Sequence, residues 1–550
     1  MWSWRLTLAV VLAALVGAPL AFPLIDILAR GQAWAIWQDS GRLLSLLCNS
    51  FLLIAGTLAL SLPLGIGIAI LLFRTDLPFR KTFRFLIVLA LFVPVSLLVS
   101  AWQATLGTTG WLPFWEDRPG QPWTSGLGPA IFVNSLASLP WVILLVGHGL
   151  TWVERELEED ALLLVGPVRV LWKVTLPRCK AVIAAAALWI VLQTLGDITV
   201  PVMFDVRTFA EEVYVQFSAG GEDALARSMA VSLPMVFLPW LAIIYLVPRL
   251  DRALPPLQTM TKPPLIFRLG PARWFFLAGV VLLLLFLTAV PIGGLIWKLG
   301  LQGQPRIWSP IHSWDRFAAA GQQFGWMVVQ SLFLAGLVGI FVAALALMTC
   351  WAAAGNKPYR LAILSLLALA WALPGPILGI GLKELIMRIV IRLEPDAQAR
   401  VGSPNFLTIL LYHGPSFVPV AWAQMIRFLP CAVVILWPVV RMVPKELLET
   451  ARLEGASPRQ ELTKVIWPLT ARACLWTVLI VAALALGEIA ASKLAQTPGA
   501  DTFVNLLFDR MHNGVDNEVA ALCLLLLVGV LVGGGMLALG RKFKALAESK

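Results

Sequence analysis

Two carboxylates interrupt otherwise apolar stretches of this chain, Asp197 after Gly196 and Glu488 after Gly487. A charge inside a membrane segment costs several kcal/mol, so each demands a use. Each lies 20 residues beyond a proline, Pro177 or Pro468. At a helical rise of about 1.5 Å per residue that is about 30 Å, one hydrocarbon thickness, which puts both near the outer end of a span. There they could face each other across an axis and attract a cation at the mouth of a pathway. They could also simply cap the start of an outer loop, with the glycines ending the helices, and this plainer use is preferred. The histidines His148, His312, His413 and His512 share no helical face at ligand spacing, so no metal site is expected. Cys48, Cys179, Cys350, Cys431, Cys474 and Cys523 include no C-x-x-C pair and read as packing residues. No His, Asp or Ser cluster has catalytic spacing, and no Gly-Lys dipeptide offers a phosphate-binding loop. The chain is expected to be no enzyme, to hydrolyse no ATP and to hold no cofactor.

The elements that position these groups are membrane helices. Hydrophobic residues make up 59% and charged residues 13% of the 550 positions, about half the charge of a soluble domain, and the mean hydropathy is +0.84. Apolar runs long enough to cross a bilayer fall at 5–29, 45–73, 84–105, 128–150, 181–203, 228–248, 273–297, 326–351, 360–386, 417–441, 473–492 and 519–540, twelve in all. Kinks are expected at Pro94, Pro374, Pro376 and Pro430. The first run is too long for a signal-peptide core and is read as a retained span.

The net charge of +11 follows topology and points to no nucleic acid. Arg74, Arg80, Lys81 and Arg84, then Arg249, Arg252, Lys262, Arg268 and Arg273, then Arg541, Lys542, Lys544 and Lys550 all fall on one side of a twelve-span chain. The excess of Lys and Arg assigns that side, and both termini, to the cytoplasm. Asp205, Glu211, Glu212, Glu222 and Asp223 fall on the other side. Trp2, Trp4, Trp34, Trp37, Trp111, Trp115 and Trp123 gather near span ends as an aromatic belt.

Features recur at a steady offset of 280 to 291 residues: Asn49-Ser50 with Gln330-Ser331, Pro94 with Pro374, Pro140 with Pro430, Pro177 with Pro468, and Gly196-Asp197 with Gly487-Glu488. Six spans per copy give both halves one orientation, hence a parallel repeat about an axis along the membrane normal. The expected halves are 1–249 and 272–550, joined by a Pro-rich basic cytoplasmic linker at 250–271 that includes Pro255-Pro256 and Pro263-Pro264.

Each half carries one long polar helical stretch after its fourth span, at 153–180 and 444–471. In the second, Gly455 suits a left-handed helix cap, Ser457 an N-cap with Pro458 at the first helical position and Gln460 closing a capping box, and Pro468 the helix end. The first is shorter by two residues, and Gly166 is followed directly by Pro167. The pattern is an acid, small residues, a Gly six positions on, and a closing hydrophobic-x-hydrophobic-Pro. It runs from Asp160-Ala161 through Gly166 to Leu176-Pro177, and from Glu449 with Ala451 through Gly455 to Pro468.

This pattern resembles the EAA loop of ATP-binding-cassette (ABC) importer permeases. The resemblance implies an all-α integral membrane protein of the type I importer permease fold, with about twelve spans in two parallel six-helix repeats, in the bacterial inner membrane. It implies that Asp160, Ala161, Gly166, Leu176, Pro177, Glu449, Ala451, Gly455 and Pro468 couple to two separate ATPase subunits, which use ATP and Mg. It further implies a periplasmic binding protein that delivers substrate. With Leu486-Gly487-Glu488, Thr502-Phe503 and Met511-His512-Asn513-Gly514, the chain looks most like ferric-iron permeases, and fused thiamine and phosphonate permeases are close alternatives. A twelve-span secondary transporter would also have two parallel halves, but it has no need of paired polar helices at these places.

Overall fold

The computed structural model describes residues 2–106, 125–220, 224–253, 263–302, 307–394, 405–511 and 517–548. Glu222 and Asp223, Trp111, Trp115 and Trp123, the linker residues Pro255, Pro256 and Lys262, and the motif His512 to Gly514 lie outside the described residues.

The fold is nearly all helix, because hydrocarbon offers no partner for main-chain N–H and C=O groups and a helix satisfies them within one segment. The first half contains α1 (Trp4–Ala29), α2 (Ser40–Arg74), α3 (Arg80–Ala90), α4 (Val95–Leu106), α5 (Leu127–Leu150), α6 (Arg155–Leu164), α7 (Pro167–Arg178), α8 (Lys180–Gly196), α9 (Thr199–Met203), α10 (Phe209–Ser218) and α11 (Ala224–Arg249). The second contains α12 (Gly270–Gly300), α13 (Pro310–Ala353), α14 (Lys357–Ala372), α15 (Gly375–Leu393), α16 (Val418–Arg441), α17 (Lys445–Leu453), α18 (Pro458–Leu486), α19 (Ser492–Ala495), α20 (Phe503–Met511) and α21 (Asn517–Gly533). A two-residue hairpin, Leu301–Gln302 with Ile307–Trp308, follows α12.

Eight of these helices are long and apolar enough to cross a membrane, and eleven crossings result if each of three bent pairs counts as one. The twelfth expected run is represented by the shorter α21, so a count of twelve is not reached by length and composition. Two expected spans differ in kind. The runs 84–105 and 360–386 are not kinked rods but broken helices, α3 with α4 at 99° and α14 with α15 at 109°. The cause is local: Pro94 and Pro374 stand just before the second helix of each pair, where a missing N–H and a restricted preceding residue stop one helix and start another. Pro430, by contrast, sits inside α16, which continues through it.

The packing repeats as the sequence does. In the first half α2, α5 and α8 pack together, and in the second α13, α16 and α18 do. The leading helices cross over: α1 packs on α15 of the second half, and α12 on α4 of the first. Even single bonds recur. Ser50 Oγ accepts from the Phe209 N–H at 3.2 Å, and Ser331 Oγ accepts from the Phe503 N–H at 2.9 Å, each tying a long helix to the short amphipathic helix of its half. The N-terminal Arg5 donates from Nε to the Ala352 carbonyl at 2.9 Å, at the end of α13. The far end of the linker pairs with the end of α2 through the Phe267 N–H and the Arg74 carbonyl, 2.7 Å apart.

Candidate functional site

The second polar segment is built as its sequence dictates. Gly455 has φ of 81°, the left-handed region that a side chain disfavours. Its N–H donates to the Arg452 carbonyl and the Ala456 N–H to the Ala451 carbonyl, so the last carbonyls of α17 are satisfied by a Schellman cap. The Ser457 hydroxyl accepts from the Gln460 N–H at 3.3 Å and the Gln460 side chain accepts from the Ser457 N–H at 2.8 Å, a complete capping box. One expectation fails. Pro468 does not end the second helix; α18 runs through it to Leu486. A π-helical stretch, Glu461–Ile466, stands directly before Trp467-Pro468 and shifts the bonding register where a proline cannot donate.

The first segment uses other means. Gly166 is extended, at φ −70° and ψ 163°, and is the residue before the N-terminus of α7 with Pro167 in its first turn. No side chain caps that end. A π-helical stretch, Leu171–Thr175, again precedes the Leu176-Pro177 ending. Here the chain does break, α7 meeting α8 at 64° near Cys179.

What holds each segment to the bundle was not visible as a motif. Glu158, fully buried, forms an ion pair with Arg74 at the end of α2 and accepts from the Thr175 hydroxyl at 2.6 Å. Arg74, equally buried, also donates to the Leu150 carbonyl at the end of α5 at 2.8 Å. Four pieces of chain thus meet on one ion pair. In the second half Glu461, also buried, accepts two bonds from Arg452 at 2.9 Å each and one from the Trp351 indole at the end of α13 at 3.0 Å. Hydrogen bonding to Glu461 raises the pKa of Arg452 above its already high ordinary value. In the sequence Arg74 counted only toward topology, and Glu158 was not singled out. The signal available was Glu158 at positions i and i+3 with Ala161, the inward side of α6.

The sequence-predicted contact residues are on the outside. Asp160, Gly166 and Pro177 are exposed in the first segment and Glu449, Gly455 and Pro468 in the second, while Ala161, Leu176 and Ala451 are half-buried. Around them large apolar side chains are bare: Leu163 at 84%, Leu164 at 86%, Val168 and Trp172 in the first, and Leu453 at 89% in the second.

Asp197 and Glu488 end α8 and follow α18. Asp197 accepts from the Thr199 and Val200 N–H groups at 3.0 and 3.1 Å, and Glu488 from the Ala491 and Ser492 N–H groups at 2.7 and 2.9 Å. Both carboxylates therefore nucleate the next short helix of their half, α9 and α19. Their preceding glycines meet the opposite half: a methyl on Gly487 would touch Pro94 at 3.6 Å, and Gly196 shares a cavity with Pro374.

Residues 335–544 match the family of binding-protein-dependent transport system inner membrane components. Part of the chain is also 25% identical, over 284 residues, to the Alpha-glucoside transport system permease protein AglF of Rhizobium meliloti (strain 1021). That alignment covers 47% of this chain and 80% of that protein. The match and the fold support a permease component of an ABC importer, a multi-pass membrane protein of the type I permease fold.

Proposed function

We propose that this chain is the whole membrane part of an ABC importer, two permease halves in one polypeptide, at 1–249 and 272–550 with the linker between. The observation that carries this is the pair of polar segments at corresponding places in the packing. Each is anchored to the bundle through a buried glutamate, and each shows bare apolar side chains outside it. A rigid helix tied to the ends of long helices can transmit a push, which an ordinary connecting loop cannot. The two segments dock two ATPase subunits that supply the ATP and Mg chemistry, and a periplasmic binding protein delivers solute to the opposite face. The basic residues then put the segments and both termini in the cytoplasm of a bacterial cell.

For the solute, motif resemblance favours ferric iron, and the alpha-glucoside relative favours a sugar. Asp197 and Glu488 stand at the pathway end of their halves as builders of α9 and α19. Reconstitution in vesicles with the candidate ATPase, using the solute held by the binding protein encoded beside this chain, tests the class. Uptake that requires ATP supports an importer permease. Uptake driven by an ion gradient with no ATPase present overturns it.

A further inference from the structure

The two halves are not alike at one point on their seam. A small cavity there is lined by Leu192, Gly196 and Met235 of the first half and by Trp371, Pro374 and Arg427 of the second. Arg427 lies nine residues after Val418 in the 24-residue α16, about 14 Å along the helix and so close to the middle of the bilayer. A cation at that depth costs about 2.5–3.5 kcal/mol.

Its partners offset that cost only in part: the Glu488 carboxylate is near enough to favour the charge but makes no ion pair with it. Arg427 Nη1 donates to the Leu373 carbonyl at 2.6 Å, and no carboxylate is within ion-pair distance of it among the described residues. Glu488 has its oxygens engaged by the Ala491 and Ser492 N–H groups. The guanidinium leans over Gly196, where a methyl group would collide with it. A planar fork of five donors thus makes one protein hydrogen bond among the described residues, at the seam, where it lines the same cavity as Trp371.

The repeat shows that the fold does not require this charge. By the offset that pairs Pro140 with Pro430, Arg427 corresponds to Ala137 and Gln424 to Asn134. The polar pair is kept in both halves, each with one buried polar atom unpartnered, Gln424 Oε1 and Asn134 Nδ2. Only the cation is one-sided.

We propose that Arg427 reads the transported solute, and that this solute presents an anionic group, a carboxylate, phosphate or phosphonate, as it crosses the seam. The proposal rests on the permease reading above and narrows its substrate class: a bare ferric ion and an uncharged sugar are both disfavoured. An anion gives the guanidinium the bidentate partner that the protein withholds.

The test is equilibrium binding to the purified full chain in detergent, with inorganic phosphate, methylphosphonate and citrate as probes and maltose and choline as neutral and cationic controls. Saturable binding of at least one anion is expected, with Arg427→Gln weakening it about tenfold or more and Arg427→Lys keeping part of it. Gly196→Ala, which crowds the guanidinium without removing it, is expected to weaken the same anion and supplies the answer if Arg427→Gln does not fold. Binding of none of the three anions, equal binding of maltose, or unchanged affinity in the variants overturns the proposal and leaves Arg427 as a cap on the Leu373 carbonyl. Binding needs no ATPase, so the two readings fail separately. Anion binding by a chain that recruits no ATPase removes the permease reading alone, and ATPase recruitment without anion binding removes this one alone.

Discussion

Residues 155–178 are held by a buried ion pair that reaches two other pieces of chain, the ends of α2 and α5, whereas residues 445–468 owe their shape to caps within the segment itself. In the first, Glu158, Arg74, the Leu150 carbonyl and Thr175 converge, and the glycine at 166 has ordinary extended geometry. In the second, a left-handed Gly455, a Schellman cap and a capping box define the turn, and Glu461 adds the link to α13. Cap residues are local and legible. A tertiary ion pair can compensate for missing caps, which is how the first copy tolerates the loss of two residues.

This contrast can be broken from either side. The largest effect is expected from Glu158→Ala, which leaves Arg74 buried without its counter-charge. Such a change costs about 3–5 kcal/mol, so the chain should lose most of its thermal stability or fail to accumulate in the membrane, and Arg74→Ala should do the same. Glu461→Gln should cost less, about 1.5–3 kcal/mol, because Arg452 can turn to solvent; a lowered melting temperature with normal expression is the expected result. Gly455→Ala should cost about 1 kcal/mol through its positive φ, while Gly166→Ala, facing open space at an unstrained φ, should stay within about 0.5 kcal/mol. Equal costs at the two glycines would mean that the left-handed turn at Gly455 is not what sets the second segment apart. Ser457→Ala should lose the capping box for about 0.5–1 kcal/mol, seen as faster local hydrogen exchange at Arg459 and Gln460.

The sequence made the helical class, the repeat and the second segment legible because each rests on local rules: apolar length, a constant offset, and cap residues at fixed spacing. It misled where a local rule was outvoted. Pro94 and Pro374 break their helices almost at right angles where a kink was expected, because each stands just before the second helix and stops the first; a proline signals a bend but not its size. Pro468 was expected to end a helix, yet a π-helical stretch carries α18 through it. The residues that anchor the segments were invisible as a group because Arg74, Leu150, Glu158 and Thr175 are brought together by folding alone. Arg427 was passed over for a different reason: it sits in a run apolar enough to pass as a plain span, and it matters only beside Ala137.

The most direct test of the central claim is native mass spectrometry of the full chain purified in mild detergent with its candidate ATPase, comparing wild type with charge insertions on the bare faces. Two ATPase copies per chain are expected, one copy in Leu164→Asp and one in Leu453→Asp, and none in the double variant. Two copies retained in the double variant would contradict docking at these segments.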